Sequence, residues 1–253
     1  PNKARWSKLV DEFDIRLIIT VDNGVAGFEA VDAMNDIGVD CIITDHHELQ
    51  SELPNAFSII HPKHPSGQYP FPELSGAGVA LKVVSALLGE VPTEAVELAA
   101  IGTVADMVSL TDENRTIVLS GLTLIKDSMR VGLQLLLQNE KVNLDNLTSE
   151  TIGFIIGPRL NAVGRLGDPT PGLELLKTLD ISEAETLLEI VNEKNRERKS
   201  ITENITIEIE NRMAQYDSIP NIIIEADKDW PAGVLGIAAS RLVKKYQRPA
   251  IVF

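Results

Sequence analysis

The sequence predicts an α/β fold: a parallel-sheet domain with additional helices, a long connecting helix, and the start of a second α/β domain. Three observations carry this expectation. Short aliphatic runs alternate with segments of helical spacing, the pattern of strands joined by crossover helices. Several of these runs stop on residues that carry chemistry: Asp22, Asp45-His46-His47 and Asp106. With 44% apolar residues but only 4% aromatic ones, the 253-residue chain must build an aliphatic core.

Residues 16–21 and 40–44 read as buried strands. Phe28, Val31, Met34 and Ile37 recur at helical spacing between them, so a crossover helix is expected over roughly 25–37. Phe57-Ser58-Ile59-Ile60 is a third strand. Pro62, Pro65, Pro70 and Pro72 make 61–74 a loop. Ser75-Gly76-Ala77-Gly78 then opens a helix to about Leu88, and further helices are expected at about 93–105 and 113–128. Val131–Leu137 and Thr151–Ile156 also read as helical, with Pro158 ending the second. Residues 157–169, punctuated by glycine and proline, are expected to form a loop. Ser182 and Glu185 have capping-box spacing, and a helix is predicted to follow to about Gln215. Its centre, Lys194 to Lys199, has no apolar stripe, as in helices that bridge domains. Residues 222–225, 233–245 and 249–253 read as strand, helix and strand. The expected domains are therefore 1–181, a connecting helix over 182–216, and the beginning of a second domain over 217–253.

Composition removes some classes. No run of about 18 apolar residues occurs, so no membrane-spanning helix is expected. Cys41 is the only cysteine, which excludes an internal disulfide and suits a reducing compartment such as the cytoplasm. A net charge of −14 argues against a nucleic-acid partner, which usually wants a basic surface. Divalent ions on acidic ligands would offset part of that charge.

A parallel sheet gathers its strand C-termini on one edge, where α/β proteins place ligands. Carboxylates and imidazoles converging there need a cation to hold them together. Mixed imidazole and carboxylate ligands suit Mn²⁺, while an all-oxygen set suits Mg²⁺ or Ca²⁺. Two ions about 3.5–4 Å apart can steady the attacking and leaving oxygens of a phosphoester. One histidine of the Asp45-His46-His47 run can ligate metal while the next faces substrate, with Asp45 orienting His46. Taken singly, these signals are weak. Asp22-Asn23-Gly24 after a strand is ordinarily a turn, and Asp106 alone a helix-end carboxylate. His61 and His64 have metal-like spacing but sit in a proline-rich loop and read as structural or exposed. Arg159, Asn161 and Arg165 could grip phosphate, or pin a loop through salt bridges. The amides of Gly76 and Gly78 could meet an anion, or belong to a plain helix cap.

Together, Thr20-Val21-Asp22-Asn23-Gly24, Thr44-Asp45-His46-His47 and Gly102-Thr103-Val104-Ala105-Asp106 resemble motifs of the DHH phosphoesterase superfamily. Residues 69–80, 158–165 and 233–242 narrow the resemblance to RecJ-type exonucleases, over nearly the whole chain. The resemblance implies Mn²⁺- or Mg²⁺-dependent 5′→3′ hydrolysis of single-stranded DNA in recombination and repair. It implies metal ligation by Asp22, His46 and Asp106, with His47 on the scissile phosphate. Arg159, Asn161 and Arg165 would lie along the substrate path, and residues from about 218 would begin a DHHA1 domain. The partners implied are single-stranded DNA, a single-strand-binding protein and a helicase. The superfamily's Asp-x-Asp-x-Asp-Gly motif does not occur in the sequence. The chain therefore reads as an internal segment with weak or no activity of its own. Alternatives are a DHH phosphoesterase for short oligonucleotides or cyclic dinucleotides, and a non-catalytic nucleotide-binding module.

Overall fold

The computed structural model describes residues 3–216 and 218–253 and comprises two compact units. The first runs to Ser128 and takes in Asn143–Gly153. Its elements are α1 (Lys3–Phe13), β1 (Leu17–Val21), α2 (Phe28–Asn35), β2 (Asp40–Thr44), β3 (Ser58–Ile60), α3 (Gly76–Leu88), α4 (Thr93–Ala105) and α5 (Asp112–Lys126). The three strands form a parallel sheet in the order β1-β2-β3. The register pairs Val21 with Thr44 and Thr44 with Ile60, so all three strands end level. Asp22, Asp45 and His61 therefore leave the sheet at one edge.

Burial explains the crossover helix. Val31 and Met34 of α2 are fully buried against Val39, Cys41 and Ile43, with Trp6 and Val10 of α1 closing the other side. The helix is shorter than its spacing predicts. It stops at Asn35, Gly38 turns with φ 75°, and Ile37 is left exposed. A second cluster joins Leu74, Val79, Leu81, Val96, Ala100 and Ile117 of α3–α5 and the loop before them. A Cβ at Gly121 of α5 would stand 2.2 Å from Cβ of the fully buried Ala100. The two helices therefore touch almost backbone to backbone, which fixes the helix whose C-cap is Asp106.

The second unit comprises Met129–Val142 and Phe154–Phe253. It contains α6 (Val131–Asn139), α7 (Gly157–Leu166), α8 (Thr170–Lys177), α9 (Ile181–Met213), β4 (Ile223–Glu225), α10 (Ala232–Tyr246) and β5 (Ala250–Val252). Strands β4 and β5 are parallel and lie beside each other, with α10 as their crossover. Val234, Ala238 and Leu242 of α10 pack on Ile205, Ile209 and Met213 of α9.

Three local expectations are corrected here. Pro158 does not end the preceding π-helical stretch Thr151–Ile156. It occupies the first turn of α7, where its missing N–H costs nothing. Residues 157–166 are consequently helix, not loop, with Ala162 and Val163 buried, and Arg159, Asn161 and Arg165 ride on that helix. Asp180, not Ser182, caps α9 by accepting the Glu183 N–H at 2.8 Å. The centre of α9, Lys194 to Lys199, is polar on every face, and its one buried side chain, Asn195, accepts from Arg198 at 2.9 Å. Helices α1 and α8 carried no sequence signal that was read as helical.

Gly121→Ala would force the α4–α5 contact apart. The expected loss is about 2 kcal/mol of stability, read as a lower urea midpoint, at the cost typical of overpacking. An unchanged midpoint would show that the helices separate freely.

Candidate metal centre

Asp45 is the first residue beyond β2 and is almost fully buried. It escapes the cost of a buried charge by accepting four hydrogen bonds. Oδ1 takes the backbone N–H groups of His46 (2.8 Å) and His47 (3.2 Å) and bonds to His47 Nδ1 at 2.7 Å. Oδ2 takes the Val25 N–H at 3.1 Å. Burial pushes this carboxyl up, but the His47 ring and the three amides outweigh it and hold the acid below its ordinary value. An ionised carboxylate only accepts, so the His47 proton sits on Nδ1 and Nε2 keeps its lone pair.

Asp45 therefore orients the His47 ring and not, as the sequence suggests, that of His46, which faces the other way. Its Nε2 lies 3.1 Å from Asp22 Oδ1 and 3.3 Å from Asp106 Oδ2. This nitrogen is buried, and neither carboxylate is angled to make a well-directed hydrogen bond with it. Asp22, His46 and His47 bring ligand atoms within 4.8 Å of one another. An orphaned imidazole nitrogen aimed between two carboxylates is a donor set that fits a divalent cation. Without one, Asp22 first and then the nearby acids hold the His46 imidazole above its usual value, despite burial.

Local backbone geometry places these groups. Asp22 adopts a left-handed conformation, φ 62°, while its N–H still reaches Thr44 O at 2.9 Å. Gly24, at φ 129°, then turns the chain away, and a Cβ there would strike Thr20 Oγ1 at 2.7 Å. Asp106 closes α4, its N–H bonded to Gly102 O at 2.9 Å. The start of α3 leans on Asp22, since a Cβ on Gly76 would lie 2.1 Å from Asp22 Oδ1. Gly76 is thus a spacer that brings a helix N-terminus against an acid. The Gly78 N–H is already taken by the Ser75 hydroxyl at 3.0 Å, which also bonds Thr103 Oγ1 at 2.7 Å. His61 is buried and bonds His47 O, whereas His64 bonds only within its loop, to Ser66.

Arg159, Asn161 and Arg165 lie in the second unit. Arg159 is buried, with its guanidinium on Glu140, on Asn192 Oδ1 at 3.1 Å and on Ile155 O at 2.8 Å. That network ties α7 to α6 and α9. Asn161 and Arg165 are exposed, and Arg165 donates to Gly233 O at 3.1 Å. Two arginines that sequence reasoning passed over join Arg165. Burial first, then the charges of Arg165 and Arg241, lower the pKa of Arg198, whose Nε is buried without a partner. Their signal was present, Arg198 in the polar centre of α9 and Arg241 at the end of the 233–242 stretch.

The chain is similar to several known proteins. Residues 2–103 match the DHH family N-terminal domain. The single-stranded-DNA-specific exonuclease RecJ of Bacillus subtilis is 43% identical over 252 residues, covering 100% of this chain and 32% of that protein. RecJ of Haemophilus influenzae is 34% identical, covering 98% of this chain and 46% of the relative. The crystal structure of RecJ in complex with Mn²⁺ from Thermus thermophilus superposes with a TM-score of 0.87 at 31% identity, covering 99% of this chain and 38% of that one. An exonuclease RecJ structure bound to manganese gives 0.81 at 31% identity, covering 97% and 63%. The N-terminal part of the chain is thus similar to DHH domains, and the chain as a whole is similar in sequence and fold to RecJ proteins, while it spans less than half the length of these curated relatives.

Gly76→Ala should displace Asp22 and weaken Mn²⁺ binding at least about tenfold, in the range seen for residues that support metal ligands. Calorimetry with an unchanged circular-dichroism spectrum would check this, and unaltered affinity would disprove the spacer role. As a metal ligand His46 would have to be neutral, and its pKa is raised. Mn²⁺ affinity should therefore fall about tenfold per pH unit below that raised value, one proton being released per ion bound, and level off above it. A flat profile from pH 8 to 6 would count against His46 as a ligand.

Proposed function

We propose that these residues belong to a metal-dependent phosphodiesterase that degrades single-stranded DNA from the 5′ end, an exonuclease of recombination and repair. The observation that carries this reading is the His46 nitrogen lodged between Asp22 and Asp106 beside a second imidazole locked by Asp45. The similarity to proteins named single-stranded-DNA-specific exonuclease, and to solved relatives holding Mn²⁺ or Mg²⁺, supports it.

Asp22, His46 and Asp106 would hold Mn²⁺ or Mg²⁺, two ions in the complete site. Such ions stabilise the negative charge that grows on phosphoryl oxygens and on the leaving group. His47 faces the scissile phosphate. Asp45 would hold the Nδ1–H of His47 and so fix the direction in which its Nε2 faces the substrate. The α3 N-terminus steadies Asp22 as an anion. Three metal-holding side chains are few for two ions, so the 253-residue chain alone is proposed to be a weak nuclease. Substrate contact is assigned to Arg165 and Asn161 on α7, with Arg198 and Arg241 extending the positive field. Arg159 serves this surface by holding α7 in place. The functional division is proposed as a DHH domain to residue 181, a connecting helix over 182–216 and a DHHA1 domain beginning at 217. The cytoplasm, and contacts with a single-strand-binding protein and a helicase, belong to the same proposal. Among the described residues, no helix is long and apolar enough to cross a membrane.

The test compares 5′-phosphorylated single-stranded DNA with di- and trinucleotides, using protein of the relatives' full length. Release of mononucleotides from the 5′ end of the long strand is expected. Asp22→Asn or Asp106→Asn should cost about 10³-fold or more, roughly 4 kcal/mol of barrier. Faster turnover of the short oligonucleotides would overturn the reading. Arg165→Ala and Arg241→Ala should each lower the slope of log affinity against log salt by about 0.7, one phosphate contact on a single strand.

A further inference from the structure

The β2–β3 pairing does not stop where the strands stop. Three rungs continue it past the Thr44–Ile60 pair. The Asp45 N–H donates to Ile60 O at 3.2 Å. His61 Nε2 then meets His47 O at 2.9 Å. Lys63 Nζ bonds Glu48 Oε1 at 2.8 Å and lies 3.5 Å from Glu73. The first rung is ordinary backbone, while the next two are side chains standing in for a ladder. They clamp both ends of the Asp45-His46-His47-Glu48 turn to the segment after β3.

The middle rung has a defined chemistry. The Lys63 N–H donates to His61 Nδ1 at 3.0 Å. A backbone amide can only donate, so Nδ1 must carry a lone pair. A neutral His61 must then bear its proton on Nε2, where it meets a carbonyl that can only accept. Both ring nitrogens are thereby satisfied in one tautomer, and the ring is buried with only 7% of its surface exposed. The other tautomer would set Nδ1–H against the Lys63 N–H and the Nε2 lone pair against the His47 carbonyl, and a flipped ring would put carbon at both places.

We propose that His61 is a positioning residue for the proposed reaction: as the Nε2–H tautomer it holds the His47 carbonyl and so fixes the turn that aims the His46 and His47 rings. His61 reaches neither the metal-holding atoms nor the phosphate; it acts through the backbone of His47. The assignment deepens the phosphodiesterase reading, because it names what holds that site's turn. The sequence reading of His61 as structural or exposed, beside Pro62 in a proline-rich loop, leaves open what the ring holds in place.

Three substitutions separate the two bonds. His61→Asn keeps an acceptor for the Lys63 N–H, in the manner of an Asx turn, but cannot reach His47 O. His61→Gln keeps a donor at the position of Nε2. His61→Leu fills the space and makes neither bond. In the metal-free chain, ¹⁵N-imidazole NMR should show His61 as the neutral Nε2–H form. An Nδ1–H form or an imidazolium at pH 7.5 overturns the proposal. Mn²⁺ binding, followed by electron paramagnetic resonance, should weaken about tenfold in His61→Asn and His61→Leu. It should return to within about threefold of wild type in His61→Gln. Wild-type affinity in His61→Asn, or no recovery in His61→Gln when all variants keep native circular dichroism, also overturns it. Neither readout contains DNA, so a wrong substrate assignment would leave both unchanged. If wild type bound no Mn²⁺, the metal reading would fail while the tautomer still decided the role of His61.

Discussion

Everything at the sheet edge depends on one buried carboxylate. Asp45 sits where β2 ends, and four donors converge on its two oxygens. The Val25 amide arrives from the turn after β1, so this acid also stitches together the two strand ends that carry Asp22 and His46. The His47 ring and the two following amides arrive from its own turn. A buried charge with fewer partners would be protonated or would distort its surroundings. With four, it stays ionised and sets the direction in which the His47 imidazole points. The positions of Asp22 and Asp106 matter because His46 is already aimed between them.

Much of this was legible in advance, and for a physical reason. Strands β1 and β2 are short aliphatic runs that end on acids, and parallel pairing in register must bring those ends together. Hence Asp22 and the Asp45-His46-His47 turn could be placed beside each other from sequence alone. The outcome at α7 was not legible, because glycine and proline read as loop wherever they cluster. Pro158 in a first turn and Gly164 facing only Pro169 are both compatible with helix, and burial of Ala162 and Val163 decided for it. The cap of α9 was misplaced for a similar reason. Asp180 and Ser182 are equally good cap residues, and only the Thr178 hydroxyl, bonded to Glu183 and to the Asp180 N–H, favours the earlier one. Gly76 was read as a ligand contact because sequence shows a missing side chain but not what occupies the space it leaves.

The overall charge of −14 was a poor guide to local electrostatics. In the first unit, two acids gather around one imidazole and raise its proton affinity, which marks a place that wants positive charge. In the second, burial and then the charges of Arg165 and Arg241 lower the proton affinity of Arg198, which marks a place that wants negative charge. A single summed number conceals both. Arg159 adds a third case. Its charge is spent internally on Glu140 and amide oxygens, so its value lies in rigidity and not in attraction for a ligand.

The left-handed backbone at Asp22 governs how that position can be probed. Aspartate and asparagine tolerate φ near 62°, whereas alanine there brings conformational strain of about 1 kcal/mol. An alanine scan would merge two unrelated losses, one of a carboxylate and one of a comfortable backbone. The amide isostere removes the charge and leaves the bend intact, so at this residue the conventional truncation is the less informative experiment.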